Sequence, residues 1–154
     1  MAPNDIHSAL SAAVEEVLET MFFSSVLASS NTPEPTGEGA EPVFRASLAF
    51  QGDACGNLGL AIPIHLAQVV SSGFLGMEEQ EVSDSEVGEV VGEMANMICG
   101  SVLSRLESES TFHISHPELG LPELPVRKND FEVVRWFYVG DGGFTISLGF
   151  SPRK

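Results

Sequence analysis

Glu93 and Asn96 stand three residues apart, and on a helix that spacing makes their side chains neighbours. A carboxylate pairs with a cation. A carboxamide offers both a hydrogen-bond donor and an acceptor without charge. Asparagine suits the middle of a helix poorly, because its amide competes for backbone hydrogen bonds, so its presence there asks for a reason. Glu89 and Gly100 extend the strip by a turn on either side. The first adds a carboxylate, and the second leaves a gap that another backbone could approach. The pattern E-x-x-N is short, however, and it also fits an ordinary solvated helix face.

Other residue types capable of chemistry form weaker patterns. His113 and His116 share a strand end without a cysteine or acid at ligand spacing, so surface or packing histidines are the simpler reading and no metal site is expected. Cys55 and Cys99 form no C-x-x-C pair and read as reduced thiols of a cytosolic protein. Neither a G-x-S-x-G elbow nor a phosphate-binding glycine loop is present. Trp136 and Tyr138 would share one side of a strand and Phe137 the other, so sheet packing or a dimer contact is the default for this cluster.

The elements that must position Glu93 and Asn96 follow from periodicity. Ile6, Leu10, Val14, Val17, Leu18, Met21 and Phe22 recur at helical spacing and predict a helix from Asp5 to about Ala28, capped by Asn4 or Asp5. Residues 29–42 are almost free of apolar side chains and predict an exposed loop. Two alternating strands follow, around Phe44–Phe50 and Leu58–Ile62, joined by a turn at Gly52-Asp53. Pro63 fits the first position of a helix covering about Ile64–Leu75. Ser83-Asp-Ser-Glu86 matches a capping box and predicts a third helix reaching about Leu106. On that helix Val87, Val90, Val91, Met94, Ile98 and Val102 share one side, and Glu89, Glu93, Asn96 and Gly100 the other. Phe112–Ile114 reads as a short strand, followed by a proline-rich stretch over 117–130. Strands at Phe131–Val139 and Phe144–Phe150, joined by glycines 140, 142 and 143 with Asp141, close the chain. The expected class is α+β: a mainly antiparallel sheet covered by long helices.

The chain has 154 residues, 43% of them hydrophobic, which suits one domain over 1–154 with a core over about 5–150. Twenty-two acids against seven bases give a net charge of −15. That field repels phosphate backbones and anionic lipid, so neither nucleic acid nor a membrane is an expected partner. The longest apolar run, Leu58–Val70, is broken by Pro63, His65 and Gln68 and is too short to span a bilayer. A basic leader segment is not evident at the N-terminus, and a cytoplasmic location is expected.

The segment Glu89-Val-Val-Gly-Glu93-Met-Ala-Asn96-Met-Ile-Cys-Gly100 resembles the signature helix of the CheC/CheX/FliY chemotaxis phosphatases. That signature places an acid or serine four residues before the glutamate and a proline some twenty residues after the asparagine. Here Glu89 and Pro117 take those places. Glu89 departs from the usual Asp or Ser, which keeps the charge but lengthens its reach. The order of elements is also similar to CheX, including Gly56, Leu58 and Leu60 in the second strand, and there is one copy of the motif, as in CheX. The resemblance spans about residues 5–150. It implies hydrolysis of the aspartyl phosphate of a CheY-like response regulator. Asn96 would orient the attacking water and Glu93 would pair with the receiver's lysine, with Glu89 and Gly100 in binding roles. Magnesium would be held by the receiver and no cofactor by this chain, and the protein would form a homodimer through its sheets. Two other readings stay open: a non-catalytic adaptor of the same fold that binds a receiver or flagellar-switch component, and a small-molecule sensory domain.

Overall fold

The computed structural model describes residues 3–30, 43–52, 55–106, 112–120, 131–140 and 142–151. Helix α1 covers Pro3–Met21, so Asn4 and Asp5 lie in its first turn rather than at its cap. It buries Ile6, Leu10, Val14, Val17 and Leu18, while Met21 is 43% exposed. The helix stops seven residues short of the predicted Ala28 because Phe23 takes a φ of 54°, the left-handed conformation that ends a helix. The Ser24 N–H then donates to the Leu18 carbonyl at 2.9 Å. Phe22 turns inward and stacks on Phe74 with ring centroids 4.9 Å apart, whereas Phe23 is 77% exposed.

The returning chain forms β1, Ala28–Ser30, which pairs antiparallel with β6, Phe131–Val139. Ser29 and Ser30 therefore belong to a sheet and not to the predicted exposed loop. The polar composition hid this, because their partner strand supplies the apolar content. The rest of that loop, 31–42, lies outside the described residues, as does the turn at Asp53.

Strands β2, Val43–Gln51, and β3, Cys55–Pro63, pair antiparallel with Leu48 opposite Leu58 and Ala46 opposite Leu60. Helix α2, Ile64–Leu75, follows at once, with Pro63 as its N-cap and Gly76 closing it at a φ of 67°. A 3-10 turn at Glu79–Glu81 leads to α3, Asp84–Leu106. The predicted capping box is present. The Glu86 N–H donates to Ser83 Oγ at 3.1 Å, and the Ser83 N–H donates back to Glu86 Oε1 at 3.0 Å.

β6 and β7, Gly142–Ser151, pair antiparallel with Val139 facing Gly142 and Phe137 facing Phe144. The strand order is β1-β6-β7-β3-β2, and two short strands, β4 (His113–Ile114) and β5 (Glu118–Gly120), line the outer edge of β2. β5 falls inside the proline-rich stretch over 117–130, for which no strand is predicted; 121–130 lie outside the described residues. One sheet face presents Leu48, Phe50, Leu58, Leu60, Phe137, Phe144, Ile146 and Leu148, all buried. Across it α1 and α3 pack side by side, α3 over β2 and β3 and α1 over β6. The architecture is the α+β class that the periodicity predicts.

Two predictions concern helix ends. Replacing Phe23 with Gly removes the cost of a bulky residue at positive φ, about 1 kcal/mol, and should raise the urea midpoint; an unchanged midpoint would mean the exposed ring holds something in place. At the start of α3, the Ser83 N–H and then the Ser83 hydroxyl hold the Glu86 carboxyl below its ordinary pKa. A lowered folded-state value contributes stability above the unfolded value that is lost as pH falls through the folded one. The stability gap between wild type and Glu86→Gln should therefore narrow from pH 7 to pH 3 in denaturant titrations.

Candidate functional site

Helix α3 sorts its residues as the sequence pattern predicts. Val87, Val90, Val91, Met94, Ile98 and Val102 are all at or below 4% exposure. Glu89 and Glu93 are exposed, and Asn96 and Gly100 are half-buried on the outward side. The side chains of Glu89, Glu93 and Asn96 take no hydrogen bond or ion pair among the described residues. A Cβ at Gly100 would meet nothing within 4 Å among the described residues. The four predicted site residues thus share one outward face of α3, with Asn96 the most enclosed of the three polar ones.

Two glycines shape the flank beside Asn96. Gly88 and Gly92 are one turn apart and buried, although each costs a helix interior about 1 kcal/mol relative to alanine. A Cβ at Gly88 would lie 3.2 Å from Phe44 Cζ and 3.7 Å from Leu119 Cδ1. One at Gly92 would lie 3.2 Å from Leu119 Cδ2 and 3.5 Å from Pro117 Cβ. The notch is therefore filled by Phe44 of β2 together with the edge segment carrying β5.

That segment carries one extra residue. Gln51 faces His113 and Phe50 faces Ile114, but Ser47 faces Glu118. Residues 115–117 therefore stand against only Leu48 and Ala49, which is a β-bulge. Ser115 anchors it: its N–H donates to the Ala49 carbonyl at 2.9 Å, and its hydroxyl accepts from the Ala49 N–H at 2.9 Å. Pro117, with no N–H to offer, sits in the bulge, where a strand tolerates it. The spacing to Asn96 singled out Pro117 without giving its contact. Gly88, Gly92 and Leu119 were not singled out at all, although two glycines one turn apart in a predicted helix are a signal of close approach.

The remaining candidates do not join this face. His113 and His116 are both exposed on the edge segment. Among the described residues no group of three or more His, Cys, Asp or Glu could hold a metal ion. Cys99, one turn beyond Asn96, is on the buried side, and burial pushes its thiol up to about 12, so it is not a nucleophile at neutral pH. Trp136 and Tyr138 are half-buried on the sheet face opposite the core, while Phe137 is fully buried. An open groove of about 450 Å³ runs between Asp5, Ser8, Ala9 and Ala12 of α1 and Arg105 and Leu106 of α3; Arg105 is paired there with Glu16 at 2.6 Å. No helix among the described residues is long and apolar enough to cross a membrane.

Known proteins share this architecture. A CheC-like superfamily protein from Shewanella sp. PV-4 superposes with a TM-score of 0.78 at 20% identity, over 99% of this chain and 100% of that one. The CheX–CheY–BeF3–Mg+2 complex from Borrelia burgdorferi matches with a TM-score of 0.74 at 15% identity, covering 96% and 98% of the two chains. The chemotaxis protein CheX from Vibrio vulnificus gives 0.76 at 21% identity, over 98% and 99%. At these identities the likeness is one of fold. No curated protein matches the sequence. The family model for chemotaxis phosphatase CheX matches residues 44–123, more than half of the chain and the whole of α3. On that match the chain belongs to the CheX chemotaxis phosphatase family.

Proposed function

We propose that this protein hydrolyses the aspartyl phosphate of a CheY-like receiver domain, with α3 as the surface that enters the receiver's site. The observation that carries this reading is the pair Glu93 and Asn96. They lie outward and adjacent, without partners among the described residues, inside the segment matched by the CheX model. The complex of a related CheX with CheY supplies the partner class.

The division of labour follows from the two side chains. The Asn96 carboxamide can accept a hydrogen bond from a water and donate another to a phosphoryl oxygen, holding the water in line with phosphorus. Phosphoryl transfer depends on such alignment and on charge stabilisation more than on covalent help. Asn96 is half-buried, which limits where its amide can swing. Glu93 is exposed and suits a lysine on the receiver, locking the helix in register. Glu89 adds a second carboxylate one turn away, and Gly100 leaves room for the receiver's backbone. Magnesium belongs to the receiver on this reading, and this chain contributes position and hydrogen bonds. The half-exposed sheet face around Ser47, Gly59, Thr145, Ser147 and Trp136 is the surface on which two copies would meet.

The test follows phosphate loss from a CheY-like receiver phosphorylated with acetyl phosphate, with and without the full chain. Asn96→Ala should lower kcat by about 100-fold and leave receiver binding nearly intact. Glu93→Ala should raise KM by about tenfold with a smaller effect on kcat. Equal decay with and without wild-type protein would refute the phosphatase reading. Full activity in Asn96→Ala would refute the assigned chemistry. Binding without hydrolysis would instead identify an adaptor of the same fold.

A further inference from the structure

We infer that the edge segment His113–Gly120, bulged at Pro117 and seated in the Gly88–Gly92 notch, is a second wall of the receiver-docking face, with Leu119 as its apolar contact. This rests on the reading that α3 docks a receiver, and it adds a contact outside that helix.

Three observations lead to it. First, Leu119 lies over both glycines, its methyl carbons 3.7 Å and 3.2 Å from where their Cβ atoms would stand, yet 41% of it remains exposed. The notch it covers lies one turn before Asn96 on the same side of α3, since Gly92 and Asn96 are four residues apart. Second, the extra residue in the edge segment brings Pro117 and Leu119 onto the same helix. A regular strand would alternate sides through residues 114–119 and keep the pairing with β2 that His113 and Ile114 begin. Bulges at sheet edges characteristically re-aim side chains next to functional sites. Third, Ser115 clamps the bulge to Ala49 through two 2.9 Å hydrogen bonds, so the wall is braced from the sheet side as well as the helix side.

The glycine notch is thus not a vacant groove; the chain itself fills it. The occupant of the face so formed is the receiver. An exposed apolar side chain packed on the helix that also presents two carboxylates matches a partner that brings a lysine together with apolar surface, since a desolvated rim strengthens the charge pair it borders.

The test measures binding of the full chain to a CheY-like receiver carrying beryllofluoride, alongside the hydrolysis assay. Leu119→Ser should weaken binding about tenfold and raise KM to match, with kcat within twofold of wild type. Leu119→Met, which keeps the apolar contact, should bind within twofold. Gly92→Val, which displaces the segment and Leu119 with it while keeping the leucine, should weaken binding at least fivefold, and this arm stands if Leu119→Ser fails to fold. The proposal is overturned if both Leu119→Ser and Gly92→Val bind within twofold of wild type, or if the wild-type chain does not bind the receiver. A purely structural role would lower the unfolding midpoint without moving the dissociation constant, and that result also overturns it. Because binding is read separately from turnover, a chain that binds but does not hydrolyse would sink the phosphatase reading and leave this one standing.

Discussion

Val87, Val91, Met94, Ile98 and Val102 bury one side of α3 against the sheet almost completely, and the rest of the site depends on the roll this imposes. Each such side chain contributes about 2 kcal/mol of burial, so turning the helix by even one position would expose several of them. Glu89, Glu93, Asn96 and Gly100 therefore face outward because their neighbours cannot. No hydrogen bond among the described residues holds them there. The polar strip is left outward by a core that is satisfied elsewhere, which is compatible with the docking role proposed for it.

Roll alone does not settle how close the surroundings come, and here the two buried glycines matter. Alanine at Gly88 and Gly92 would favour the helix by about 1 kcal/mol at each position. The chain forgoes that gain and lets Pro117 and Leu119 approach the α3 backbone to van der Waals distance. The bulge completes the fit from the other side, since an unbulged strand would carry its side chains on the opposite alternation. Helix and edge segment are thus matched by two local irregularities, each unfavourable alone.

Much of this was legible in the sequence, for identifiable reasons. The capping box at Ser83–Glu86 and the apolar stripe of α3 are local patterns whose physics lies within one element, and they placed the helix start and its outward face correctly. The period-2 strands were equally plain. Where the reading failed, the cause was non-local. Phe23 ends α1 by a backbone conformation that nothing in the periodicity announces. Ser29 and Ser30 form a strand only because β6 offers an edge. β5 is a strand of three residues beside a proline, set by its register on β2 and its fit to α3. Pro117 was marked by its distance from Asn96, but its contact with Gly92 needed the folded chain.

The contrast between Glu93 and Asn96 can be carried one step further. Glu93 is exposed on a long, flexible side chain, and it has three side-chain torsions to lose when it pairs. Asn96 is shorter, half-buried, and one turn from the residue on which Pro117 rests. A group that only has to find a cation gains from reach. A group that must hold a water in line with phosphorus gains from having few alternatives, because a displacement of about 1 Å can cost on the order of 100-fold in rate. On the reading proposed for this protein, the fold places the mobile carboxylate where encounter occurs and the restrained amide where alignment is required.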